Sequence, residues 1–262
     1  MLNFTSLYSG STGNSLLVQT QNTNILIDTG VSAKKIIDAL TSFNTSIDKI
    51  DAVIVTHEHI DHVNSLGTIS SKYNIPVYAN KKTWNNMPKQ KDRISEKNQK
   101  IFHIGEVFEI NDLKINSFSI PHDAADPCGF NIYKDNKKIS IATDIGHMTN
   151  EILSKLEGSN FLMLEANYDP EILKCCSYPY KLKTRISGPN GHLSNEMAGK
   201  TISYLSKSGL NNVILGHLSK ENNFPELAYK TVIDELISSN FNENNFSLNV
   251  ASREKPGSTI EI

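Results

Sequence analysis

The chain has 262 residues, and its 28 acidic and 26 basic side chains give a formal net charge of -2. A chain of this length suits one large α/β or sandwich domain, so we expect a single domain over residues 1–262 whose core needs no disulfide. The charge argues against a protein that binds nucleic acid over its whole surface. The absence of a long apolar stretch or a leader predicts a soluble protein of the cytoplasm with no membrane partner.

Apolar runs alternate with polar stretches that carry helix caps, and this pattern predicts the elements in chain order. Strands are expected over residues 2–7, 15–20, 24–27, 52–55, 76–79, 107–110, 113–120, 129–133, 138–142, 160–164 and 246–250. Helices are expected over 32–40, over a segment with Val63, Leu66 and Ile69, over 149–156, and from Ser194 and Pro225. The polar region 81–100 predicts an exposed helix and loop that Trp84 and Met87 anchor.

Four potential metal ligands directly follow the strand predicted over residues 52–55: His57, His59, Asp61 and His62. In an extended chain His57, His59 and Asp61 project to one side, so two imidazoles can bind one ion while Asp61 and His62 reach a second. Histidine and aspartate without thiolates leave room for water, which suits a catalytic ion better than a structural zinc. A solvated, histidine-rich turn is the alternative interpretation.

The segment His57-Glu58-His59-Ile60-Asp61-His62 resembles the signature of the metallo-β-lactamase fold superfamily. The resemblance implies an α/β protein, a four-layer αββα sandwich with its metal ions at one edge of the two sheets. Two divalent ions at such a site activate water and polarise the bond that it attacks, which is the chemistry of a hydrolase.

Further site residues follow from this resemblance, each after a strand-like run. The first ion would be bound by His57, His59 and His122, and the second by Asp61, His62 and His217, with Asp144 bridging both. Asp28 is expected to orient one of these ligands, and His147 is a weaker candidate for the same supporting role.

Motifs along essentially the whole chain resemble the YycJ/WalJ family. They are SGSTGNS, HEHIDH, PHDAADPCGF, ATDIGH, LEANYD, LKTRISGPNGHLSN and LGHLSKENN. The resemblance implies a bacterial, cytoplasmic, metal-dependent phosphodiesterase, an exonuclease that acts on the 5′ ends of double-stranded DNA. Tyr168 departs from the pattern, in which a histidine is expected, so a supporting role of this position is in doubt. The spacing between Asp144 and His217 leaves no space for the inserted domain of the β-CASP nucleases.

Two segments carry residues that suit a nucleic-acid substrate. The turn over residues 9–15 lacks the lysine of a Walker A loop, so it is either a plain hairpin or an anion-binding turn that presents Ser11 and Asn14. Lys181, Lys183 and Arg185 alternate on one face beside two tyrosines, which suits a phosphate backbone and a stacked base. A solvated surface strand is the alternative for the second segment.

His192 precedes a helix that Ser194 is expected to cap, where an imidazole can bind phosphate or donate a proton to the leaving oxygen. A hydrogen-bonded loop histidine is the other interpretation. We expect Asp61, His192 and Asp144 to be catalytic, and the contact with DNA to be local, directed at an end, weak and strongly salt dependent.

The sequence leaves the identity of the metal open, because histidine and carboxylate ligands suit zinc, manganese or ferrous iron. It also leaves two other functions open. One is a small-molecule hydrolase of the same fold acting on a cyclic phosphodiester, lactone or thioester, and the other is a metal-bearing module without turnover. The oligomeric state is not predicted.

Overall fold

Two seven-stranded sheets pack face to face between two layers of helices in the computed structural model, which describes residues 1–239 and 246–262. The first sheet has the spatial order β14 (Ile260–Glu261), β1 (Asn3–Tyr8), β2 (Ser15–Gln19), β3 (Asn24–Ile27), β4 (Ala52–Ile54), β5 (Val77–Asn80) and β6 (Gln99–Phe102). The second has the order β13 (Ser247–Val250), β12 (Asn212–Gly216), β11 (Phe161–Glu165), β10 (Lys137–Ala142), β9 (Cys128–Lys134), β8 (Leu113–Ser119) and β7 (Val107–Ile110). The predicted αββα sandwich is confirmed.

Ten α-helices lie in the described part of the chain. They are α1 (Ala33–Ser42), α2 (Ile60–Val63), α3 (Leu66–Tyr73), α4 (Lys81–Asn86), α5 (Pro88–Lys91), α6 (Asn150–Leu156), α7 (Pro170–Cys175), α8 (Tyr180–Ile186), α9 (Asn195–Ser206) and α10 (Pro225–Ser238), with 3₁₀ turns at Ile47–Lys49 and Glu96–Asn98. The side chains of Ser32 and Ser194 accept hydrogen bonds from backbone N–H groups that α1 and α9 leave unpaired. Among the described residues, no helix combines the length and apolar character needed to cross a bilayer.

The central strands are apolar along their whole length because both of their faces are buried. In β11, Phe161 and Met163 belong to the core between the sheets, where the Phe161 ring centroid lies 4.5 Å from that of Phe4. Leu162 and Leu164 point the other way, into the core beneath the outer helices. Burying a side chain of this size contributes about 1.5–3 kcal/mol, so these alternating contacts hold each strand in register.

Strand direction brings the candidate site to one edge of the sandwich. Strands β3 to β6 are parallel to one another, as are β10 to β13. Strand β8 runs in the same direction as β10 because β9 is antiparallel to both. The segments that follow β4, β8, β10 and β12 therefore emerge close together, and they carry the predicted ligands.

The structure corrects the prediction of an extended basic face before His192. Residues 180–186 form helix α8 rather than a strand. Alternate residues of a helix lie roughly 200° apart around its axis, so Lys183 lies on the opposite side of α8 from Lys181 and Arg185. A second helix, α7, precedes it and was not predicted.

Two other regions differ locally from the sequence-based expectation. The chain is extended only as far as His59, and Asp61 and His62 lie in the short helix α2. A break after α2 separates it from α3, where one helix was expected. Residues 81–100 contain α4, α5 and the start of the edge strand β6, with Trp84 and Met87 only 2% and 4% exposed as the predicted anchors.

Candidate metal centre and catalytic site

Three histidines from the two sheets form a first group of ligand atoms. His57 and His59 lie in the loop after β4, and His122 follows β8. Their ring nitrogens lie within 4.8 Å of one another, and His59 Nδ1 is 3.3 Å from His122 Nε2. His57 Nε2 is buried and has no hydrogen-bond partner in the part of the chain that the structure describes. A buried nitrogen of this kind fits a metal ligand.

A second group comprises Asp61, His62 and His217. Asp61 Oδ2 lies 3.4 Å from His62 Nε2 and 3.9 Å from His217 Nε2. Asp144 lies between the two groups, because its Oδ2 is 3.4 Å from His62 Nε2 while its Oδ1 is 3.3 Å from His217 Nε2 and 3.7 Å from His122 Nε2. Asp144 Oδ2 is also buried and accepts no hydrogen bond among the described residues. The fold and these His/Asp clusters indicate divalent metal binding.

Burial and neighbouring charges set the protonation of this cluster. Burial, reinforced by His62, lowers the pKa of His57 well below its ordinary value. Burial alone would raise the pKa of Asp144, but His217 and His62 outweigh it and hold that pKa well below the usual range. Burial lowers the pKa of His62, yet Asp144 and Asp28 outweigh it and raise the pKa well above its ordinary value. Metal binding at His62 must therefore release a proton.

Asp28 fixes the orientation of His62, as the sequence predicts. Its Oδ2 accepts a hydrogen bond of 2.8 Å from His62 Nδ1, which leaves Nε2 directed at Asp61 and Asp144. The backbone N–H and the hydroxyl of Thr56 donate to the two oxygens of Asp28 at 2.9 and 2.8 Å. A carboxylate held in this way fixes both the tautomer and the ring plane of a metal ligand.

The variant Asp28→Asn should bind divalent metal about 10- to 100-fold more weakly, because an amide orients the imidazole less well and makes it a less basic ligand. Competition with a chromogenic chelator measures this change. Asp38→Asn, on the exposed face of α1, is the matched control and should leave the affinity unchanged. An unaltered affinity in Asp28→Asn would show that His62 needs no such partner.

A buried carboxylate next to the metal cluster holds His192. Glu165, fully buried at the end of β11, accepts a 2.8 Å hydrogen bond from His192 Nδ1 through Oε1. Its Oε2 accepts from the backbone N–H groups of Ile145 and Leu193 at 2.7 and 3.0 Å. Burial lowers the pKa of His192, but the Glu165 carboxylate outweighs it and raises the pKa to about 9. The Glu165 carboxylate thus favours the protonated form of His192.

Glu165 and His192 form a further group of ligand-type atoms together with Asp144 and His217. Glu165 already accepts three hydrogen bonds, one from His192 and two from the backbone N–H groups of Ile145 and Leu193. We therefore interpret Glu165 and His192 as a proton-handling pair rather than as ligands of an additional ion.

A cavity of about 210 Å³ opens onto this cluster and holds part of the predicted substrate-binding set. Ser11 and Arg185 line it, together with His192. The Arg185 Nε donates to Asp123 Oδ2, and Asp123 Oδ1 lies 3.4 Å from His122 Nε2. The guanidinium is therefore tied to the rim of the ligand cluster, where it adds a fixed positive charge.

Several predicted residues lie elsewhere. Asn14 does not line the cavity. Its side chain is buried beside His62, where its Oδ1 accepts from the backbone N–H of Gly10 at 3.0 Å and its Nδ2 lies 3.2 Å from His62 Nε2. Lys181 and Lys183 do not line the cavity. His147 is exposed, and its Nδ1 donates to the carbonyl of Pro189 rather than to a ligand. The structure shows no hydrogen bond from His147 to a predicted ligand within the described residues, so a supporting role of His147 stays a prediction.

Three residues of the site were not assigned a role from the sequence: Glu165, Asp123 and Asn167. Asn167 lines the cavity and donates from Nδ2 to the carbonyl of His217 at 2.8 Å. Glu165 ends the apolar run of β11 just as Asp144 follows that of β10, and this repeated pattern is the signal that could have found it.

Comparison with known proteins places the chain in a family. The model of the beta-lactamase superfamily domain matches residues 23–218. Exodeoxyribonuclease WalJ of Streptococcus pneumoniae is 37% identical over 235 residues, which cover 89% of this chain and 87% of that protein. Exodeoxyribonuclease YycJ of Bacillus anthracis is 36% identical over 231 residues, 88% of each chain. Zn²⁺-bound PqqB from Methylobacterium extorquens matches with a TM-score of 0.70 at 16% identity, covering 99% of this chain and 100% of its own.

The fold and the site first define the class, a metal-dependent hydrolase with the metallo-β-lactamase fold. Within this superfamily the chain belongs to the family of WalJ and YycJ. The resemblance that the sequence motifs carry is therefore confirmed, and the similarity to PqqB extends to the fold alone.

Proposed function

We propose that the protein is an exodeoxyribonuclease that digests double-stranded DNA from 5′ ends, using two divalent ions, zinc or manganese. The observation that carries the proposal is the edge cluster of His, Asp and Glu side chains, with a protonated His192 beside it, in a chain similar to two exodeoxyribonucleases. DNA as substrate also makes the cytoplasm the expected location.

Divalent ions bound by the two ligand groups, with Asp144 between them, would polarise a phosphoryl oxygen and activate water. Hydrogen bonds at Nδ1 orient two of the ligand histidines. His62 Nδ1 donates to Asp28, and His122 Nδ1 lies 3.0 Å from the Gly191 carbonyl oxygen. The site is thus organised before substrate binds, which is the arrangement that stabilises developing charge most effectively.

His192 supplies a proton to the leaving oxygen of the cleaved ester. Glu165 occupies Nδ1 of its ring, so the proton on Nε2 remains available in the cavity that the ligands also line. The raised pKa, about 9, keeps this proton in place at neutral pH. A positioned acid of this kind contributes about 10²- to 10⁴-fold to the rate.

Arg185 and Ser11 hold the phosphate at the mouth of the cavity. The guanidinium of Arg185 is about half exposed and anchored through Asp123, so it reaches a phosphate without losing its position. Ser11, in the turn over residues 9–15, is exposed and lines the same cavity as Arg185, where it adds a hydroxyl donor. With so few cationic contacts, DNA is bound locally and at an end.

The test uses duplex DNA labelled either at the 5′ or at the 3′ end of one strand, with zinc or manganese added. Digestion from 5′ ends releases a 5′ label at once as mononucleotide, whereas a 3′-labelled strand shortens progressively. Asp61→Ala should lower the rate by roughly 10³-fold or more, because a lost ligand removes several kcal/mol of transition-state stabilisation.

Asp48→Ala, at an exposed carboxylate outside the site, is the matched control and should digest DNA at the wild-type rate. If metal-loaded protein leaves both labelled duplexes intact while it hydrolyses a small diester, the nuclease proposal fails. A small-molecule hydrolase of the same fold would then be the better description.

A further inference from the structure

Helix α8 separates two cavities and presents a different face to each. Leu182, Arg185 and Ile186, spaced as i, i+3 and i+4, line the cavity of the ligand cluster. Tyr180, Lys183, Thr184 and Ser187, spaced as i, i+3, i+4 and i+7, line a groove of about 550 Å³ on the other side. Because a helix places such residues on one face, α8 is a wall between the two spaces.

The two spaces meet at Tyr178, just before α8, because this side chain lines both. The groove therefore lies directly beside the site at which we place the reacting phosphate, with Tyr178 between the two.

The groove has the composition of a stacking site. Its floor contains the buried side chains of Tyr168 and Leu173, which pack together in a small core of the α7–α8 segment. Tyr180 stands at the opening and is 85% exposed, so its ring is accessible to a ligand. Tyr180 and Tyr178 both line the groove, and their ring faces offer stacking surfaces to a nucleobase.

Two ammonium groups border the groove. Lys183 Nζ donates to the carbonyl of Lys174, and Lys174 Nζ pairs with Glu171 on an exposed surface. Each ammonium has three donors, so both lysines keep donors for a phosphate or a sugar oxygen. The floor is apolar and aromatic while the rim is cationic, which matches a nucleotide whose base is inserted and whose phosphate stays outside.

We infer that this groove, which we call the α7–α8 groove, binds the base of the nucleotide adjacent to the cleaved phosphate. Tyr180 and Tyr178 stack on the base, and Lys174 and Lys183 face its backbone. The inference rests on the proposed function for the identity of the strand. Binding in the groove requires that the base leaves the duplex. Unpairing and unstacking a base costs less free energy at the end of a duplex than in its interior.

A nucleotide-binding measurement tests the groove independently of DNA cleavage. The fluorescent ligand is 2-aminopurine 2′-deoxyriboside 5′-monophosphate, with the same metal salt throughout, displaced by either dAMP or 2-deoxyribose 5-phosphate. In the wild type, dAMP should compete at about 10-fold lower concentration than the base-free phosphate, as stacking on one aromatic side chain predicts.

In Tyr180→Ala and Tyr178→Ala this ratio should fall toward one, while Tyr180→Phe, which keeps the ring, should preserve it. Tyr229→Ala, at a partly exposed tyrosine on α10 outside the groove, is the control and should keep the wild-type ratio. Because Tyr180 is exposed, Tyr180→Ala should leave the stability of the fold unchanged.

A ratio near one in the wild type, or a tenfold ratio that both alanine variants retain, overturns the inference. Failure of the proposed function gives a different result. DNA would then stay intact in the end-label assay, at any value of the competition ratio between dAMP and the base-free phosphate. A ratio that depends on the tyrosines supports the groove even if the polymer cleaved by the protein proves to be a different one.

Discussion

His192→Ala should lower kcat on duplex DNA about 10²- to 10⁴-fold and leave the metal content unchanged. The expectation follows from the position of the imidazole, which lines the cavity of the ligand cluster while its Nδ1 is held by Glu165. Because His192 donates a proton rather than binding an ion, the variant should still take up metal. Single-turnover kinetics and metal analysis of the same preparation measure both quantities.

The pH profile gives this prediction a second readout. The acid form of His192 is the active one, so kcat should fall as the pH rises through its raised pKa, about 9. Glu165→Gln removes the carboxylate that opposes the effect of burial, so the alkaline limb should move to lower pH. In His192→Ala the limb should disappear, since the group that causes it is gone.

The matched control is His103→Ala, at an exposed histidine that does not line the cavity, which should keep the wild-type rate and profile. Loss of metal from His192→Ala would contradict the assignment and make His192 a ligand. An alkaline limb that persists in His192→Ala would assign the titration to another group.

Gly30→Ala should destabilise the fold by about 3 kcal/mol or more and abolish activity. A Cβ at this position would lie 1.6 Å from the Asp61 carbonyl oxygen and 2.7 Å from the backbone nitrogen of Asn14. Both are backbone atoms, and a hydrogen bond of 2.8 Å joins them, because the Asn14 N–H donates to the Asp61 carbonyl. Neither can move without shifting the segment that carries Asp61 and His62, which is a severe case of overpacking.

Denaturant unfolding measures the loss, and metal content shows whether the site is displaced. Gly257→Ala is the control, because its Cβ would meet only the Ser6 carbonyl oxygen at 3.7 Å, an ordinary contact. A wild-type midpoint and wild-type metal binding in Gly30→Ala would mean that the loop after β4 adapts freely, contrary to its hydrogen bonds.

The sequence predicted those parts of the site that local patterns encode. His57, His122 and His217 each follow an apolar run, and the two-sheet sandwich makes such runs end at one edge. Asp28 was expected to support a ligand, and it does bond to His62. These predictions needed only strand periodicity and the recognised motif, both of which can be read over ten residues or fewer.

Other features depend on contacts that sequence periodicity does not report. The alternating lysines before His192 suggested a strand, but residues 180–186 are helical, and Tyr168, Leu173 and Ile186 form the small core beneath them. Tertiary packing decided this case over the local alternation. The partnership of Glu165 with His192 joins residues 27 positions apart, so neither side chain revealed it alone.

Backbone conformation was equally hidden. Asp28, Asp144 and His217 have φ of 61°, 60° and 54°, in the left-handed region that few non-glycine residues occupy. Asp28 and His217 directly follow β3 and β12, and Asp144 follows β10 after one residue, so the turn at each position redirects the chain where the strand ends. Such conformations cost about 1 kcal/mol or more each and persist only because the surrounding structure holds them.

The distribution of the ligands over both sheets has a consequence for the durability of the molecule. His57 and His62 follow a strand of the first sheet, whereas His122, Asp144 and His217 follow strands of the second, and the cysteines in the described chain are all free. An ion held by both sets would be a removable cross-link between the two halves of the sandwich. It would bind the native state alone, so a chelator should make the whole fold easier to unfold and not merely inactive.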